Sequence, residues 1–264
     1  KMITKLICKA LEITGPFNIQ FIAKDNNVKV IECNLRASRS FPFVSKTLKI
    51  NFIDIATRLM LGEKVAKIDK SSFDLDYVGV KSSQFSFTRL KGSDPVVGVE
   101  MSSTGEVACL GDDFNEAFLK SLYSVGFHIP EKGILLSTGT LKEKSEFIEE
   151  LKTLRNFGLK FYGTKGTADF YANSGIEIEV LKRPYDYEEP SIFSYMSEGK
   201  IDLVINIPKT AEKVELDSDY SIRRKAIDQN IPLITNMQIA KRFVKALRNY
   251  YNVKFPVKSW DEYN

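Results

Sequence analysis

The sequence predicts an α/β protein built on a doubly wound parallel sheet of about five strands, and three observations carry that expectation. From Gly133 onward, short apolar runs alternate with amphipathic stretches over about 120 residues. One of these runs, Ile201–Ile207 (IDLVINI), is almost continuously apolar, the pattern of a strand buried on both faces. Ahead of this region, Gly15–Lys46 reads differently, as two extended segments at Phe17–Ala23 and Val28–Cys33 joined by a Lys-Asp-Asn-Asn turn.

In chain order, KMITKLICKALEITG opens as a helix, with Ile3, Leu6, Ile7, Ala10 and Leu11 at helical spacing and Gly15 as its stop. After the hairpin, Asn51–Leu61 has a helical pattern ended by Gly62, and the charged Glu63–Asp76 stretch reads as a surface crossing. Residues 77–110 hold short β-like pieces broken at Gly92-Ser93-Asp94-Pro95, and Asn115–Ser124 is a short helix before His128-Ile129-Pro130. The alternating region then gives strands at Ile134–Leu136, Leu159–Tyr162, Ile176–Leu181, Ile201–Ile207 and Pro232–Thr235. Between and after them fall helices at Lys144–Phe157, a short one ending at Asn173, Pro190–Glu198, Asp219–Gln229 and Gln238–Tyr250.

With 264 residues the chain has room for one large domain or two modest ones, and 43% hydrophobic residues supply a sizeable core. The net charge of +4 is spread through the chain with no long basic run, which argues against nucleic acid as the main partner. No apolar run approaches a membrane span and no signal-peptide pattern opens the chain, so no membrane partner is expected. Cys8, Cys33 and Cys109 have neither paired nor metal-ligand spacing and read as reduced, packed residues of an intracellular protein, expected to be cytoplasmic with a mitochondrial location as the alternative. The single histidine, His128, has no cysteine or histidine near it in sequence and reads as structural, which leaves zinc without a site.

Two stretches carry chemistry. On the hairpin, Gln20, Glu32 and Asn34 offer one carboxylate and two amide oxygens, an all-oxygen set that suits magnesium already carried on nucleotide phosphates. Arg36 and Arg39 follow, spaced to hold phosphoryl oxygens by paired N–H donation. The same residues also read as the solvated polar face of an amphipathic hairpin. In a parallel sheet, ligands bind beyond the carboxyl ends of the strands, where Ser137–Thr140, Thr164–Thr167, Lys182-Arg183, Asn206 and Thr235-Asn236 fall. Hydroxyls, glycines and cations at strand-to-helix turns make a phosphate cradle, although helix capping by Thr164 accounts for part of that pattern. GTKGT at 163–167 lacks GxGxxG, so nothing points to a dinucleotide.

The string IECNLRASRSFPFVSK, with GPFNIQ ahead of it, resembles the end of the second ATP-grasp domain of carbamoyl-phosphate synthase, the large synthetase component. The match falls on Gln20, Glu32, Asn34, Arg36 and Arg39. The resemblance implies that the first three hold the magnesium (or manganese) ions bridging the ATP phosphates. The two arginines would neutralise charge on the phosphate and on the carboxylated intermediate. QFSFTRLKGSDPVVGVEM and STGEV resemble the segment that follows in that family, where Glu100 would lie near an effector or domain contact unless it is simply a solvated strand residue. GILLSTGTLKEKSEF, GTKGTADFY, DLVINIPK and YSIRRKAID resemble the methylglyoxal-synthase-like regulatory domain that ends these synthetases.

By motif position Ser137, Lys144, Thr164, Lys165, Thr167, Arg183 and Asn206 would line its effector pocket. The branch sensing N-acetylglutamate carries a tryptophan where Arg183 falls and an asparagine where Lys209 falls. Both departures add positive charge, which favours UTP or phosphoribosyl pyrophosphate over N-acetylglutamate. True methylglyoxal synthases use an aspartate with a histidine, and no histidine follows His128, so that activity is not expected.

The resemblance therefore implies part of an ATP-dependent ligase that makes carbamoyl phosphate from carbamate formed with bicarbonate, working with a glutaminase domain or subunit. It places residues 1–64 in an ATP-grasp domain, 65–130 in a connecting segment, 131–252 in the regulatory domain and 253–264 in a tail. The rest of the ATP-grasp unit is expected upstream, and the piece alone should be inert. The strings lie nearest the pyrimidine-pathway synthetases of eukaryotes. The arginine or urea branch, with a mitochondrial location, is the alternative, as is a free-standing nucleotide-binding regulatory module.

Overall fold

A computed structural model describes residues 1–97, 104–208 and 213–263, with the side chains of 213–216 outside the description. Glu100 and Lys209, singled out in the sequence, lie outside the described residues. The chain forms two compact units, residues 1–77 and 78–263.

The first unit begins with α1 (Met2–Ala10), which buries no residue. An antiparallel hairpin follows, β1 (Asn18–Lys24) and β2 (Asn27–Asn34). Its two-residue turn, Asp25-Asn26, holds both residues at positive φ (50° and 63°), the twist-matched geometry that short-chain Asp and Asn tolerate best after glycine. Two helices come next, α2 (Ser40–Leu48) and α3 (Phe52–Met60). The sequence reading gave no helix here, and Pro42 falls in the first turn of α2. In the first turn of a helix proline is tolerated, since the amide it lacks has no intrahelical partner there. The Asn51 side chain caps α3 by accepting from the Asp54 amide at 3.1 Å. The buried residues of this unit are few, namely Thr47, Leu48, Ala56 and Tyr77, and the Tyr77 hydroxyl donates to the Thr47 carbonyl.

The second unit opens with β3 (Val78–Gln84) and β4 (Gly105–Gly111), an antiparallel pair covered by α4 (Phe114–Ser124). At Gly111 the strand passes so close to α4 that a Cβ would stand 2.4 Å from the Ala117 nitrogen, so only glycine fits. The parallel region then runs β5 (Gly133–Thr138), α5 (Leu141–Glu146), α6 (Ile148–Arg155), β6 (Lys160–Gly163), α7 (Lys165–Ala172) and β7 (Glu179–Val180). It continues with α8 (Ile192–Ser197), β8 (Leu203–Ile207), α9 (Lys213–Asp228), β9 (Leu233–Ile234) and α10 (Met237–Tyr250).

The expected five-stranded parallel sheet is present, in the order β7-β6-β5-β8-β9. Alternate residues feed two cores. Ile134, Leu136, Phe161, Leu203, Ile205 and Ile207 pack on one face with α6, α7 and α10, while Leu135, Tyr162 and Val204 pack on the other with α8 and α9. The strand expected at 176–181 pairs only at Glu179-Val180, yet Ile176, Ile178 and Leu181 are buried, so its apolar pattern reports burial and not ladder pairing. The helix expected at 144–157 is two helices. Phe147, fully buried at φ −103° and ψ 2°, breaks the run so that its ring enters the core.

The last residues pack on this same unit. Phe255 lies against Tyr123 and Tyr250, Lys258 pairs with Asp112, and the buried Tyr263 accepts from Lys120 and donates to the Leu110 carbonyl.

Candidate functional site

On the hairpin, Gln20 stands directly opposite Glu32 and Asn18 opposite Asn34. The register shifts between Gln20 and Phe21, because Phe21 pairs with Val30 and leaves Ile31 as an extra residue. This bulge has a consequence for the polar set. With strict alternation Glu32 and Asn34 would share a face with Val28 and Val30. The extra residue turns them to the other face, beside Gln20 and Asn18. Asn34 Nδ2 donates to Glu32 Oε1 at 2.9 Å, which leaves the amide oxygen of Asn34 for another partner. Asn18 belongs to the same group, and the sequence reading missed it. The signal was available only through the register, since Asn18 is sixteen positions from Asn34 in the chain.

Arg36 is exposed and donates to the Ala37 carbonyl at 3.3 Å, and Arg39 is the residue leading into α2. One carboxylate among amides cannot neutralise a divalent ion. The donor set therefore fits a magnesium ion whose charge is already balanced by phosphates, and not a free cation. Among the described residues no group of three His, Cys, Asp or Glu side chains could hold a metal.

The second site lies where the strand order of the parallel sheet reverses, beyond the carboxyl ends of the adjacent strands β5 and β8, the crevice such sheets offer to ligands. A cavity of about 100 Å³ opens there, several times what one ordered water needs. Ser137, Lys144, Thr164, Thr167 and Arg183 all line it, with Thr138, Gly166, Ser218 and Asp219.

Lys144 reaches it from α5 as a buried cation, donating from Nζ to the Gly166 carbonyl at 3.1 Å and standing 5.6 Å from the centre of the Phe170 ring. Thr164 precedes α7 with extended backbone, but its side chain makes no capping hydrogen bond. Helix capping therefore does not explain that threonine. Thr138 shares a 2.9 Å hydrogen bond with Tyr171, whose phenol burial pushes up to about 12.

Asn206 is wholly buried behind the cavity. It donates from Nδ2 to Asp219 Oδ1 at 3.2 Å, and Ser137 donates to the same oxygen at 3.3 Å. Lys165 lies outside the cavity lining. The remaining strand-end turns serve otherwise. Thr140 forms a capping box with Glu143, Asn236 caps α10 by accepting from Ile239 at 3.1 Å, and Lys182 pairs with Glu188. Asp219, Ser218 and the residues behind them were not legible as site residues, because they come from the middle of a helix and not from a strand-end turn.

Comparison with known proteins places both regions. The family model "Carbamoyl-phosphate synthase L chain, ATP binding domain" matches residues 2–68, and the model "MGS-like domain" matches residues 146–235. The multifunctional protein pyr1-3 of Dictyostelium discoideum is 50% identical over 266 residues, covering 97% of this chain and 12% of that protein. The multifunctional protein CAD of Squalus acanthias is 45% identical over 262 residues, covering 94% of this chain and 12% of the relative. The mitochondrial carbamoyl-phosphate synthase [ammonia] of Homo sapiens is 44% identical over 254 residues, covering 93% and 17% respectively. The chain thus spans only a small part of the length of the relatives it matches. One stretch of the chain is thus similar to the ATP-binding domain of carbamoyl-phosphate synthase L chains, another to the MGS-like domain, and nearly its whole length to a part of these larger proteins.

Proposed function

We propose that this chain is the C-terminal part of a carbamoyl-phosphate synthase, in which the hairpin forms one wall of a Mg-ATP site and the parallel sheet forms a complete effector sensor. The observation that carries the sensor reading is the cavity at the β5–β8 switch point, where five of the seven expected residues meet, among them Thr164, whose hydroxyl caps no helix. There the Thr164 and Thr167 hydroxyls and the first-turn amides of α7 donate to a phosphate group, and Lys144 and Arg183 balance its charge. UTP or phosphoribosyl pyrophosphate fits this chemistry better than N-acetylglutamate, whose carboxylates lack the third oxygen such a cradle offers to hold. The sensor would bias the synthetase between states by binding one of them better.

On the hairpin, Gln20, Glu32 and Asn34, with Asn18 beside them, would hold a magnesium or manganese ion by oxygen atoms. Such an ion supplies charge neutralisation on the ATP phosphates. Arg36 and Arg39 would grip phosphoryl oxygens through paired N–H groups and so orient the transfer to carbamate, giving carbamoyl phosphate and ADP. Carbamate formed from bicarbonate, and ammonia from a glutaminase domain or subunit, would come from elsewhere in the longer protein. We assign residues 1–64 to the ATP-grasp domain and 131–252 to the sensor, in a cytoplasmic protein of pyrimidine synthesis. No helix of the described residues is long and apolar enough to cross a membrane.

Calorimetric titration with UTP, phosphoribosyl pyrophosphate and N-acetylglutamate tests the sensor. The two phosphorylated compounds should bind, and Thr167→Val should weaken them by about tenfold, the worth of one charge-assisted hydrogen bond. Absence of binding by all three would overturn the sensor, and tightest binding by N-acetylglutamate would overturn the branch assignment.

A further inference from the structure

Helix α9 faces two structures at once. Ser218, Asp219 and Ile222 line the cavity, while Tyr220, Arg223 and Arg224 hold the loop that follows β3. Arg223 is only 4% exposed. It grips Asp94 with two N–H groups, Nε to Oδ1 at 2.8 Å and an Nη to Oδ2 at 2.6 Å, and its other Nη donates to Asn206 Oδ1 at 2.9 Å. Arg224 donates to the carbonyls of Phe87, Leu90 and Ser93 at 3.1, 3.2 and 3.2 Å, and the Tyr220 hydroxyl donates to the Gly92 carbonyl at 2.9 Å. One helix thus fastens residues 87–94 at five points.

We propose that Arg223 and Asp94 are positioning residues of the cavity, setting its polar edge without touching the ligand; the proposal rests on reading the cavity as the effector site. The chain of contacts runs Asp94–Arg223–Asn206–Asp219–Ser137. Because Arg223 donates to the Asn206 oxygen, the amide nitrogen is obliged to face Asp219. A flipped amide would set donor against donor at Arg223 and oxygen against carboxylate at Asp219. The Asn206 and Ser137 donors together hold Asp219 in place at the cavity wall.

If Asp94 is lost, a buried guanidinium is left without its counter-charge. The nearest carboxylate one helical turn away on α9 is then Asp219, four residues before Arg223. Drawing Asp219 toward Arg223 takes it from Ser137 and Asn206 and unmakes that wall. By linkage the effect runs both ways: a ligand that favours the assembled wall favours the docked loop, and a released loop weakens the ligand.

The test uses UTP and phosphoribosyl pyrophosphate as probes of the whole chain. Asp94→Asn should bind both about tenfold more weakly, and Asp94→Glu should recover part of the loss. Hydrogen exchange should show residues 87–94 slowed by ligand in the unmodified chain and unaffected by it in Asp94→Asn. A merely structural role would lower thermal stability but leave ligand-dependent protection in place. Should Asp94→Asn fail to fold, Tyr220→Phe removes a single hydrogen bond to the same loop and should reduce that protection. Unchanged affinity in Asp94→Asn, or no ligand-dependent protection of 87–94 in the unmodified chain, would overturn this proposal alone. Failure of both probes to bind the unmodified chain would overturn the effector-site reading itself.

Discussion

The two units obey the same local rules but differ in what they bury. In the first, Leu6, Ile22, Ile31, Leu59, Met60 and Leu61 are exposed, and α1 contributes nothing to a core. In the second, Phe147, Leu151, Leu154, Ile205 and Phe243 are shut off from solvent on one sheet face, and Leu135, Ile192 and Val204 on the other. Local codes therefore suffice to specify elements in the first unit: the Asp25-Asn26 turn sets the hairpin, and Asn51 starts α3. Helices and two-stranded hairpins draw most of their stability from packing, so the first unit has shape with little of its own support. This is what one wall of a larger domain should look like, and a sensor that works by itself should look like the second.

The contrast can be broken most forcefully at a core position. Phe147→Ala should cost about 3–5 kcal/mol by denaturant titration, because its ring is wholly buried where two helices meet. A value near zero would mean the second unit lacks the tight core described. A smaller effect concerns alkaline pH. Tyr171 is raised by burial, so its phenol is favoured by folding. The stability it contributes is complete below the ordinary tyrosine range near 10 and is lost as pH rises toward about 12. Full loss is worth about 2–3 kcal/mol, at two pH units. Lysines raised by carboxylate partners, among them Lys182 and Lys258, slope the same way, so the comparison is with Tyr171→Phe, which should flatten the curve between pH 10 and 12. The smallest effect belongs to the first unit. Leu6, 61% exposed, should tolerate alanine within about 0.5 kcal/mol. A cost of several kcal/mol there would mean that α1 is packed in solution.

The same contrast explains what the sequence disclosed. The parallel sheet was legible because strands buried on both faces leave unbroken apolar runs, as in IDLVINI. The break at Phe147 was not, since a helical pattern continues through it and only the demand of the core interrupts the backbone. On the hairpin, the residue types were legible but not their grouping, because the bulge at Ile31 moves Glu32 and Asn34 across the sheet face and so brings Asn18 into the set. In the cavity, turn residues such as Ser137 and Thr164 were legible from their place at strand ends. Asp219, Arg223 and Asp94 were not: they meet across 129 residues of chain, and such a meeting has no sequence period.

On the proposed function, the second unit works by itself as a sensor of a phosphorylated effector. Hydrogen exchange of the chain with and without UTP or phosphoribosyl pyrophosphate tests it most directly. Ligand should slow exchange around Ser137–Lys144, Thr164–Thr167 and Asp219–Arg223 while leaving Asn18–Asn34 unchanged. Protection confined to the hairpin, with none at the β5–β8 cavity, would contradict it.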